Sequence, residues 1–135
     1  IPEAHVYHKR RATLKQFRRQ VFRFGAARPL LAKAHPGNLK LTHLFPLVFT
    51  LYRYLTAIFA VLGIFYFHNS LFAMPFAPYV FYMFAVFLTA LRHEGLAVAL
   101  CVVQTTNTMN EGYGIGFLRN FIEVYLKGNP KGIKL

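Results

Sequence analysis

Apolar and basic positions interleave at helical spacing over the first third of the chain, and long apolar runs take over after residue 40. From Thr13 onward, Leu14, Phe17, Val21 and Phe24 recur at spacings of three and four, with Lys15, Arg18, Arg19 and Arg23 on the remaining surface. That period predicts an amphipathic helix with Thr13 as its N-cap. Basic residues on one side and Leu and Phe on the other suit a helix lying in the headgroup plane of a membrane rather than crossing it. Gly25 and Pro29 are expected to interrupt it, leaving a short piece, LLAKA, before a turn at His35-Pro36-Gly37-Asn38. Residues 1–12 alternate in part and read as an extended segment.

Residues 41–67 are almost wholly apolar, long enough at about 1.5 Å per residue to cross a hydrocarbon layer of roughly 30 Å. Arg53 is the exception within this first expected span. It stands less than two turns beyond Pro46, so its stem is expected to snorkel toward the headgroups. His68-Asn69-Ser70 predicts a tight polar turn, and Leu71 to Leu91 a second span, with Pro75 and Pro78 as kink positions near its start. Arg92-His93-Glu94-Gly95 reads as a polar connection. Beyond it, Leu96 to Val103 is apolar, Gln104 to Glu111 is too polar to face lipid, and Tyr113 to Leu126 is apolar again. The sequence leaves two readings for 96–126: a third helix packed on protein or lining a cavity, or a re-entrant or interfacial segment. Its length favours a crossing, whereas the positive-inside rule disfavours one that would export Lys127, Lys131 and Lys134.

Composition agrees with lipid as the solvent for much of the chain. Of its 135 residues, 56% are hydrophobic and only 15% charged, more apolar surface than a small soluble core buries. The formal charge of +12 comes from 16 Lys and Arg against four carboxylates. Ten of those 16 fall within residues 1–40 beside a single acid, Glu3, the layout of a juxtamembrane segment drawn to anionic lipid. Lys9, Arg10, Arg11, Lys15, Arg18 and Arg19 are the expected headgroup contacts. A nucleic-acid partner would need a soluble basic fold or finger-type ligand spacing, and the sequence has neither, so no nucleic acid is expected. The lone Cys101 excludes an internal disulfide and reads as a packed thiol within the apolar run 96–103.

The sequence contains no Asp, and its acids are Glu3, Glu94, Glu111 and Glu123, widely separated along the chain. Hard divalent cations want clustered oxygen ligands, so no metal site is expected within the chain. Gly112-Tyr113-Gly114-Ile115-Gly116 lacks a preceding strand and the spacing of a dinucleotide loop. Gly112 and Gly116 instead fit small-xxx-small helix packing. Glu111 and Arg119 read as internal polar contacts without assigned chemistry. His5 and His8 beside the basic triplet read first as solvated interfacial histidines, with a metal or pyrophosphate contact as the alternative if carboxylates come from elsewhere. Gln20 with Arg23 one turn on suits sugar hydroxyls or phosphate, although a headgroup-binding face explains the arginines equally well.

The string HVYHKRRATLKQFRRQVFRFGAARPLLAKAHPGNLKLTHLFPLVF resembles the juncture between catalytic domain and membrane helices in bacterial family 2 glycosyltransferases. The order also matches: a segment like Val6-Tyr7-His8-Lys9-Arg10-Arg11, an interfacial helix bearing a Gln and an Arg, a Pro-Gly turn, then a helix opening like His43-Leu44-Phe45-Pro46. Gln20-x-x-Arg23-Phe24 is similar to the Q-x-x-R-W element of processive members, with Phe24 in place of Trp. Gly112 to Leu118 looks like the close of the family's last membrane segment.

The resemblance implies that His8 lies near the nucleotide diphosphate or metal, and that Gln20 and Arg23 line the acceptor side. It also implies a GT-A catalytic domain carrying D-x-D and an acidic base, expected before Ile1, together with a nucleotide-sugar and a divalent metal, Mg or Mn. The expected fold class is therefore an all-α membrane protein: a basic interfacial segment over 1–40, then two to three transmembrane helices within 41–135. The expected function is the membrane-embedded part of a glycosyltransferase acting on a lipid-linked or cell-envelope acceptor in the bacterial inner membrane, with its N-terminal region cytoplasmic. The rival expectation is a non-catalytic membrane subunit packed with others.

Overall fold

The computed structural model describes residues 13–129 and Lys131, and among these it is helical with no strand. Helix α1 runs Leu14–Ala34, α2 Phe45–Phe67, α3 Ala77–Glu94 and α4 Leu96–Phe121. Short 3-10 turns at Leu41–His43 and Ser70–Phe76 lead into α2 and α3, and a π turn at Ile122–Leu126 closes α4. Residues 1–12, including His5, His8, Lys9, Arg10 and Arg11, lie outside the described residues, as does the expected extended segment there.

Thr13 caps α1 as expected. Its backbone is extended, and its hydroxyl accepts from the Gln16 N–H at 3.3 Å, satisfying one of the first-turn donors. Thr13→Ala is therefore expected to cost roughly 1 kcal/mol of local helix stability. Amide exchange over residues 14–17 measures it; unchanged protection there would show that the cap contributes nothing.

The expected break at Gly25 and Pro29 does not occur, because α1 continues through both to Ala34. Both residues are buried, and the contacts that bury them outweigh the local preference of Gly and Pro against helix. The turn after α1 forms where expected, with Gly37 in the left-handed region at φ 93° that its missing Cβ allows.

The second expected span also begins differently. Ser70–Phe76 forms a 3-10 stretch capped by the Asn69 side chain, which accepts from the Leu71 N–H at 2.9 Å. It lies along α2, with Phe72 against Phe59 and Phe67, and the Tyr52 hydroxyl donating to the Pro75 carbonyl. Pro78 then sits in the first turn of α3, where its missing N–H costs no helical bond, so it starts a helix instead of kinking one. Arg92, His93 and Glu94 are the last turn of α3, and Gly95 alone, at φ 84°, separates it from α4. Residues 96–121 form one uninterrupted helix, which removes the re-entrant reading of that segment. Cys101 is exposed on α4, contrary to the packed thiol expected, because the flanking apolar run faces outward at Leu100 as well.

Two stretches, Phe45–Phe67 and Ser70–Glu94, are long and apolar enough to cross a membrane. Only 17% and 6% of their most apolar windows is buried, so their side chains face outward, unlike those of a soluble core helix. Phe65, Tyr66, Phe67 and Phe81 are among the large rings left uncovered.

Candidate functional site

The tightest packing in the molecule is between α1 and the C-terminal half of α4. Arg18 meets Glu111, Ala26 meets Asn120 and Lys33 meets Val124, so the two helices run parallel. Glycines make the close approach possible. A Cβ on Gly25 would overlap the Tyr113 carbonyl, and one on Gly116 would overlap the Phe22 carbonyl. At Gly112 it would come within 2.6 Å of a Val21 methyl. Gly114 faces the other way, toward Pro46 and Thr50 of α2. The small-xxx-small pair Gly112 and Gly116 therefore does serve helix packing, and its partner is α1, the basic amphipathic helix.

Polar groups lock the same seam. The fully buried Asn120 amide donates to the Ala26 carbonyl, and Lys33 Nζ donates to the Val124 carbonyl at 3.3 Å. On the α2 side, buried Thr50 donates to the Asn110 carbonyl at 3.0 Å. The pairings Pro46–Gly114, Thr50–Asn110 and Arg53–Asn107 step in opposite directions along the two helices, so α2 crosses α4 antiparallel.

Arg53 pairs with α4. Its Nη2 donates to Glu111 Oε2 at 2.9 Å, its Nη1 to Asn107 Oδ1 at 3.3 Å, and its guanidinium lies 4.5 Å from the Tyr54 ring centroid. Tyr79 of α3 completes the group by donating to Asn107 Oδ1 at 2.8 Å. The other Glu111 oxygen accepts from Arg18 Nη2 at 2.9 Å. One carboxylate thus joins α1, α2 and α4 and gives Arg53 a charged partner on a neighbouring helix. The two cations differ in setting: the Arg53 side chain is 16% exposed and Arg18 59%. Both Glu111 oxygens are occupied, the arrangement of an internal polar contact. Arg119, its expected companion in that role, is exposed instead.

The acceptor-side candidates stand apart from this cluster. Gln20 is half-buried and Arg23 exposed on α1, and neither side chain has a hydrogen-bond or ion-pair partner among the described residues. Lys15 and Arg19 are exposed as well, so with Arg23 they give α1 a basic side facing away from the bundle, whereas Arg18, also exposed, reaches back to Glu111. His8 and the Lys9-Arg10-Arg11 triplet lie outside the described residues.

A second basic feature is not visible in the sequence. Arg28, Leu31, Ala32, Asn38, Lys40 and His43 enclose a cleft of about 280 Å³ between the end of α1 and the entry to α2. The Lys40 N–H donates to His43 Nδ1 at 3.1 Å, which fixes the imidazole orientation. Partial burial, with the adjacent Arg28 and Lys40 charges, pushes His43 below its ordinary value of 6.5. Spacings of 12 and 15 residues across a turn carry no periodic signal, so only the fold brings these groups together.

The described residues hold no group of three His, Cys or Glu able to bind a metal ion. Glu111 is taken by two arginines and Glu123 by Lys127 at 2.7 Å. Among the described residues the donor set does not fit the divalent ion that the resemblance implies, and Glu3, His5 and His8 lie outside them. The chain matches no protein-family model, no curated protein and no solved structure.

Proposed function

We propose that this chain is the membrane-embedded C-terminal part of a bacterial glycosyltransferase, one that moves a sugar from a nucleotide donor to a lipid-linked or cell-envelope glycan acceptor. The observation that carries this reading is the fixed docking of α1. A basic amphipathic helix is clamped by glycine contacts and buried hydrogen bonds to a bundle with two span-length apolar stretches, while Arg23 stays free on its surface. A helix held so firmly at the edge of an apolar bundle is a platform against which a catalytic domain can close. Its Gln20 amide and Arg23 guanidinium supply donors for acceptor hydroxyls or phosphate. The carboxylates, metal and nucleotide-sugar belong to the GT-A domain on this reading, and no chemical step is assigned to this chain.

In the parent enzyme, Gln20→Ala and Arg23→Ala are each expected to lower sugar transfer about tenfold or more, the loss of one charge-assisted or oriented contact. Membrane insertion should stay intact. Transfer of radiolabelled sugar by membranes containing each variant measures this, and full turnover in both would remove these residues from the site. The rival reading, a non-catalytic membrane subunit, draws on the outward apolar surface of α2 and α3, which a neighbouring helix would cover as well as lipid. It predicts no sugar transfer by membranes that contain the full-length protein.

A further inference from the structure

We infer that the cleft between α1 and α2 binds the phosphate of an anionic lipid headgroup, held by Arg28, Lys40 and His43. These groups come from three places in the fold: the penultimate turns of α1, the segment after the His35–Asn38 turn, and the 3-10 turn before α2. Arg28 and Lys40 form no ion pair among the described residues: Glu111 and Glu123 are engaged elsewhere, and Glu94 stands at the end of α3. With Nδ1 already accepting from the Lys40 N–H, neutral His43 carries its proton on Nε2, as a donor. The guanidinium, the ammonium, the imidazole N–H and the Asn38 amide NH2 are all donors, a set that matches phosphate oxygens, and no carboxylate lines the cleft to compete for them.

Position selects a lipid over a free ion. The cleft ends where the apolar stretch Phe45–Phe67 begins, at the depth a headgroup occupies if that stretch lies in a bilayer. Beside it, Leu41 is 85% exposed, with Phe45 and Val48 also uncovered, an apolar track for acyl chains leading away from the phosphate. The inference depends on the membrane placement of α2 and not on sugar transfer, so the two proposals can fail separately.

The test compares dioleoyl phosphatidic acid with dioleoylglycerol, which share acyl chains and differ in the phosphate, by native mass spectrometry of the delipidated chain in detergent. Phosphatidic acid should bind at least about tenfold more tightly, since two charge-assisted contacts are at stake. Arg28→Gln with Lys40→Gln should abolish that preference, and Arg28→Lys with Lys40→Arg should keep most of it. Removing two other exposed charges, Arg92→Gln with Arg119→Gln, should change it less than about threefold, the part due to net charge alone. Equal loss in the two Gln doubles, or equal binding of both lipids, would overturn the site. Competition by inorganic pyrophosphate at the same concentration as the lipid would overturn the assignment to lipid.

Discussion

Gly116→Ala and Gly25→Ala are expected to destabilise the protein by about 2–3 kcal/mol, the upper part of the range for overpacking a well-filled contact. The sign is the informative part. In an unobstructed helix, Gly→Ala raises stability by about 0.4–1 kcal/mol through helix propensity and chain entropy. Here the new methyl would meet the Phe22 or Tyr113 carbonyl, backbone atoms that move only if the helices separate. Gly112→Ala should cost less, because the obstructing atom is a Val21 methyl that can turn aside. Denaturation in detergent gives the order, and trypsin cleavage at Arg18, Arg19 and Arg23 reports whether α1 has come away. A gain in stability at Gly25 and Gly116 would mean that the seam does not form.

Glu111→Ala should have an effect of similar size. It leaves Arg53 largely enclosed, with only the Asn107 amide and two tyrosine rings as partners. Breaking a buried pair costs about 3–5 kcal/mol, and the partial exposure of Glu111 reduces this to roughly 2–3 kcal/mol. Arg18→Ala removes the exposed partner and should cost about 0–1 kcal/mol. The double replacement Glu111→Leu with Arg53→Leu should recover much of the loss, because it strands no charge. A double-mutant cycle by denaturation measures the coupling; additive single effects would show that the two groups act independently.

Features set by local chemistry are legible in the sequence. Thr13 stands before an apolar period and caps α1; Gly37 follows Pro36 and turns the chain; Gly112 and Gly116 share one helix face and pack. Features that depend on distant partners are not. Gly25 reads locally as a breaker, yet its missing side chain is what admits the Tyr113 carbonyl from the far end of the chain. Arg53 reads as an isolated charge in an apolar run because its partner, a carboxylate 58 positions away, is not visible in sequence. Two prolines three residues apart read as kink positions, but side-chain packing of Phe72 on α2 makes the first part of a 3-10 lead and the second a helix start. The same reasoning explains the cleft at Arg28, Lys40 and His43: its charges can be counted in the sequence, but their convergence depends on how α1 meets α2.

Sequencing the locus upstream of the Ile1 codon tests the central claim most directly. The account predicts an open reading frame continuous with Ile1 that encodes a GT-A domain bearing D-x-D and an acidic base. A start codon immediately before Ile1 would contradict the chain's place in a fused transferase.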